Sequence, residues 1–129
     1  MVALEFALMV PILLALLVGI VSYALYFTAV LGVRHAAAEG ARAAVAGLGT
    51  AERSTLAQAR ALSVIQGYAP LLSTASGALA ITAAPDVTGV FRVRVTYNIG
   101  GSPFMRFGAI VPMPSGTIDA SVLVSNGSY

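Results

Sequence analysis

No charged side chain stands between Glu5 and Arg34, so residues 6–33 form one neutral run rich in Leu, Val, Ala and Ile. That run constrains the chain more than any other feature. Lipid offers a backbone no hydrogen-bond partners and a helix satisfies its own, so an apolar stretch of about 18 residues or more reads as a membrane-spanning helix. Residues 6–27 rise roughly 33 Å at about 1.5 Å per residue, enough to cross a hydrocarbon layer of ~30 Å. Tyr23, Tyr26 and Phe27 lie near one end, where amphipathic rings favour the boundary between lipid and water.

Glu5 needs a reason to be where it is. A carboxylate is costly deep in a bilayer, up to about 2.5–3.5 kcal/mol at a helix centre, and less so towards the interface. In one reading it sits among the headgroups, where negative charge also suits a helix N-terminus. In the other it meets a cation when the chain reaches its working state. The nearest such cation is an N-terminal amine at Met1, its own or that of a neighbouring copy. One turn of helix separates the two positions, so a neighbour displaced along a shared bundle axis would bring them together.

Met1-Val2-Ala3-Leu4-Glu5-Phe6-Ala7-Leu8, the Val10-Pro11 and Leu-rich run behind it, and Ala38-Glu39-Gly40-Ala41-Arg42-Ala43-Ala44 together resemble TadE-like pilins and pseudopilins. That family is similar to type IV pilins in carrying a glutamate at the fifth position once a leader peptide is removed. The resemblance covers the N-terminal half well and the C-terminal part loosely, and the register of Glu5 is its specific element. It implies that Met1 begins a processed chain. It also implies that Met1 and Glu5 are assembly residues, with Glu5 neutralising a neighbour's terminal amine. Arg34, His35 and Arg42 beyond the span would by charge alone lie on the cytoplasmic side. The resemblance implies the opposite, because a basic leader ahead of Met1 would stay inside.

Pro11 lacks the N–H that would bond Ala7, so it predicts a kink or local loosening of the helix. Prolines are also simply tolerated in membrane helices, and both readings stand. Gly19 and Gly32 read as further weak points, with Gly19 a place where a neighbouring helix could come close. From Arg34 onward the helix turns Ala-rich, and Glu39 can meet His35 or Arg42 at helical spacing. Gly47 and Gly49 predict its end near Ala46. Residues 1–46 are thus one helical unit, a membrane span first and a filament core later. Residues 47–129 are expected to form a small exported α+β domain.

In that domain Thr50 reads as an N-cap with Glu52 in the following turn, opening an amphipathic helix over residues 50–66. Gly67-Tyr68-Ala69-Pro70 ends it. The period then changes to two. Leu79, Ile81 and Ala83 alternate with Ala80 and Thr82. Phe91, Val93, Val95 and Tyr97 alternate with Arg92, Arg94, Thr96 and Asn98. Ile118, Ala120, Val122 and Val124 alternate with Asp119, Ser121, Leu123 and Ser125. The fold class is α+β: a long hydrophobic helix, a short second helix, and about three antiparallel strands with Arg92 and Arg94 on the wet face. Residues 100–116 are long for a hairpin and unusually apolar for a loop. Phe104, Met105 and Phe107 within them fold back on their own domain or pack on an adjacent subunit, as Phe6, Tyr23 and Phe27 would.

Composition excludes several functions. At 58% hydrophobic residues and a net charge of +2, all of its cations arginine, the chain has no concentrated basic stripe for nucleic acid. With no cysteine it offers neither disulfides nor thiolate ligands, and His35 is its one histidine. No catalytic, metal or cofactor constellation emerges, and the chain reads as no enzyme. Asn126-Gly127-Ser128 formally matches a glycosylation acceptor. Three readings result. The first is a structural subunit of a Tad-type, type IV pilus-like filament, waiting in a bacterial inner membrane before it joins a surface homopolymer. The second is a minor pseudopilin that primes or tips another filament. The third is a single-pass anchored binding module. For the first two the resemblance implies a prepilin peptidase, an assembly ATPase and a membrane platform as partners.

Overall fold

The computed structural model describes residues 1–74, 77–87 and 89–125, so the Asn126-Gly127-Ser128 match lies outside the described residues. Its spine is α1, Val2–Val45, one uninterrupted helix that runs through Pro11 and ends at Ala46, where the Ala46 N–H bonds the Ala43 carbonyl and the Gly47 N–H the Ala44 carbonyl. Helix α2, Thr50–Gly67, folds back along the distal half of α1. Strands β1, Leu79–Pro85, β2, Val90–Asn98, and β3, Thr117–Ser125, form an antiparallel meander in the order β1-β2-β3. Ile81 pairs with Val95, and Val95 with Ala120. The α+β expectation holds, with the three strands where the alternation put them.

The two halves of α1 do different work. Its distal half is buried at Ala29, Gly32, Val33, Ala36, Ala37, Gly40, Ala41 and Ala44, steps of three and four that line one helical face. Small side chains on that face let α2 and the sheet come close. A Cβ on Gly40 would lie 3.0 Å from the Ala57 carbonyl oxygen and 3.2 Å from Val93 Cγ1. Gly32 is likewise a close approach and not the weak point expected of it. A Cβ there would sit 2.8 Å from Leu72 Cδ1 and 3.1 Å from the Tyr68 ring.

Across from this face, the central strand β2 turns Phe91, Val93, Val95 and Tyr97 inward, all buried, with Ala57, Ala61 and Ile65 of α2 completing the core. Ser54 Oγ donates to the Ala83 carbonyl at 2.6 Å and ties α2 to β1. Tyr97 keeps its hydroxyl satisfied as it enters the core, accepting from the Ser73 N–H at 2.8 Å. In the turn between β1 and β2, Gly89 has φ +78, a left-handed conformation that side-chain-bearing residues rarely adopt.

Two local expectations are corrected. Thr50 is not the N-cap: Gly49 holds that place in extended conformation, and Thr50 is the first residue of α2. Glu52 instead ties down the residue before that cap, accepting from the Leu48 N–H at 2.9 Å, while Arg53 Nε donates to the Gly47 carbonyl at 3.0 Å. The apolar connector is also more than a loop. Pro103–Ala109 forms a 3-10 helix, opened by a proline in the first turn where a missing N–H costs nothing.

Candidate functional site

The proximal half of α1 packs on little. Every Leu, Ile, Phe and Met from Leu4 to Ile20 is exposed. An 18-residue window of this helix has mean hydropathy 2.6 with 6% of it buried, so it is not the core helix of a soluble fold. Nearly all of that apolar surface faces outward, as a helix in lipid or in a bundle of copies requires. This bare shaft suggests membrane anchoring. Glu5 lies on it, exposed, with its N–H bonding the Met1 carbonyl at 3.2 Å as the helix begins. Among the described residues Glu5 forms no ion pair. Met1 and Phe6 are also bare, so among the described residues these three positions stand open.

Further up, the shaft meets the connector. Pro103, Phe104 and Phe107 face Leu17, Val18, Val21, Ser22 and Leu25 across an open, almost wholly apolar cavity of about 420 Å³. Val111 lies at Gly19, where a Cβ would make an ordinary contact of 3.5 Å. Tyr23 donates its hydroxyl proton to the Pro112 carbonyl. Tyr23 and Tyr26 also flank Phe27, with ring centroids 6.4 Å and 6.1 Å away. The 103–113 segment therefore stands as a foot beside the shaft. Phe104 is buried at 7% exposure in the domain's own core and Met105 packs against that core, whereas Phe107 is 42% exposed and Ile110 66%. Sequence reasoning named the apolar connector but not its neighbours on α1, because no periodicity links residue 19 to residue 111.

Charge elsewhere is arranged in surface pairs. Glu39 accepts from Arg42 at 3.0 Å and from Arg60 of α2 at 3.3 Å, so it joins the two helices rather than serving α1 alone. On the outer face of the sheet Arg94 Nε lies 2.9 Å and 3.1 Å from the two Asp119 oxygens, and its Nη2 adds a further short contact. This fork of donors holds the Asp119 carboxyl below its ordinary value and raises the Arg94 guanidinium above its own. Arg92 pairs with Asp86 at 2.5 Å. His35 lies 3.4 Å from the Tyr68 hydroxyl, and no group of three potential metal ligands occurs among the described residues.

An exposed apolar helix that becomes the core wall of a small α+β domain suggests a class of membrane-anchored proteins. The family model described as TadE-like protein matches residues 1–42, which cover the shaft, Glu5 and most of the small-residue face. The match is consistent with a TadE-like, pilin-related protein and suggests association with the Tad pilus and its machinery. No curated protein and no solved structure matches the chain.

Proposed function

We propose that this protein is a structural subunit of a Tad-type filament, held in the inner membrane by the shaft of α1 and then packed through the same shaft into a surface polymer. The observation that carries the reading is the bare apolar helix with a single carboxylate near its tip, in the segment that matches the TadE-like family. An unpaired carboxylate is more costly in an apolar bundle than one beside an amine, so Glu5 neutralising the terminal amine of a neighbour would set the axial register between copies. The domain would then coat a core of helices, with Phe6 among the first side chains buried and the aromatic cluster Tyr23, Tyr26 and Phe27 packed at its upper edge. Pro11 and Gly19 would let the shaft adapt from lipid to bundle. The reading assigns the protein no catalytic role and no cofactor.

The test is Glu5→Ala in the producing cell, with electron microscopy of sheared surface material and mass analysis of the N-terminus. The expected result is a stable monomer in the membrane and no filaments, with the wild-type subunit beginning at Met1. Filaments at wild-type abundance that contain the variant chain would overturn the role given to Glu5, and filaments from which the wild-type chain is absent would favour a membrane-anchored binding module. Filaments in which the wild-type chain is only a trace component would favour a minor pseudopilin.

A further inference from the structure

We infer that the foot, the 103–113 segment beside α1, enters the outer leaflet of the membrane and is a second lipid-contacting element of the monomer. The inference rests on the membrane stage of the proposed function and goes beyond it, because it concerns the C-terminal half of the chain.

The argument is one of length. The foot is fixed to α1 between Leu17 and Leu25 by the contacts of Phe104 and Phe107, by Val111 at Gly19, and by the Tyr23 hydroxyl on Pro112. If it stayed in water, the shaft free to cross lipid would be residues 6–16, which rise roughly 16 Å, about half of a ~30 Å hydrocarbon layer. Even from Met1 the rise to Leu16 is only about 24 Å, and that places Glu5 inside. A full crossing requires residues 17–27, and those residues carry the foot on one side. Val111 then lies about 12 Å of helix rise below Phe27.

The chemistry of the foot fits that position. Phe107 and Ile110 are exposed, as are Leu17 and Ile20 of α1; Phe107 lines one apolar recess with Leu17, and Val111 another with Ile20. Irregular backbone is costly in lipid unless its polar groups are satisfied locally. Here the Met105 N–H bonds the Ser102 carbonyl at 3.0 Å, and the Ile110 and Val111 N–H groups bond the Phe107 carbonyl at 2.9 Å. Arg106, the one cation of the foot, is exposed, and its long stem can carry the guanidinium up to lipid phosphates.

Because the chain has no cysteine, single-cysteine labelling reads each position cleanly. Ile110→Cys, Leu13→Cys and Gln58→Cys, all at exposed sites, would carry an environment-sensitive fluorophore in the full chain reconstituted into phosphatidylethanolamine–phosphatidylglycerol vesicles. The expected result has three parts. Position 110 is quenched several-fold more by a nitroxide on the acyl chain than by aqueous iodide, position 13 likewise, and position 58 by iodide alone. Position 110 quenched by iodide with position 13 still in lipid would overturn the inference and leave the membrane reading standing. Position 110 shielded from both quenchers would also overturn it, since the foot would then be covered by protein. Position 13 open to iodide would remove the membrane reading and the inference together.

Discussion

A glycine inside a helix is read from sequence as a weakness, and at Gly40 the packing reverses that reading. The backbone carbonyl of Ala57 lies where a Cβ would meet it, and a carbonyl held in α2 cannot swing aside as a side chain can. Gly40→Ala gains up to ~1 kcal/mol of helix propensity, but overpacking of this kind costs about 1–3 kcal/mol, so a net loss of stability is expected. Gly67, with nothing within 4 Å of the same hypothetical atom, is the control: Gly67→Ala should hold or raise the melting temperature. Thermal unfolding of both variants in one detergent decides the matter. Asp119 gives a prediction in pH. Its carboxyl titrates below the ordinary value because Arg94 hydrogen-bonds the charged form. The pair's contribution is therefore present above the unfolded value near pH ~4 and is lost as pH falls through the lower, folded value. Asp119→Asn should melt slightly below wild type at neutral pH, and the two melting curves should converge in acid. The gap should also narrow in high salt, since both groups are open to water.

Among the elements, the alternating strands and the 28-residue neutral run were legible because their periods and lengths are distinctive, and both stand where the sequence put them. The inner face of α1 was harder to read. Ala29, Ala36, Ala37, Ala41 and Ala44 repeat at helical spacing, but alanine is both a helix former and a core residue, so the stripe signalled a helix without signalling what it would face. The signal was present in the steps of three and four. The foot was legible only as a misfit between apolar composition and loop position, because its partners are some ninety residues away, as with Tyr23 and Pro112. Phe104 is the side chain that joins it to the core. Phe104→Ala should cost about 3 kcal/mol, towards the low end for a buried phenylalanine, given its place at the core's edge. Ile110→Ala, at an exposed position on the same element, should change stability in detergent by no more than ~0.5 kcal/mol. Chemical unfolding of the two variants separates an attached foot from a loose one.

At the scale of the molecule, the question is where the domain begins. Division at residue 47 follows the composition, since the last residues of the apolar helix precede it. The packing crosses that line. Phe91 and Val93 close on Ala41, Ala44 and Ala57. Val95, Tyr97 and Ile99 share a cluster with Ala29, Val33, Ala36 and Ala37. Without α1, the inner face of β2 and β3 would keep only α2, whose contacts with the sheet run to β1. A fragment that small, with no disulfide, has little spare burial to lose. A chain begun at Leu48 should therefore be expanded, bind hydrophobic dyes and melt without a cooperative transition. A chain begun at Tyr26 retains the whole small-residue face and sheds the bare shaft, so it should be soluble and melt in one transition, with the foot less protected from hydrogen exchange than β2. Equal cooperativity in both fragments would mean that α1 merely lies on a domain already complete. The expected contrast means that the helix held by lipid at one end is, at the other, the wall against which the sheet folds. Axial displacement of α1 would then carry the domain with it as one rigid piece.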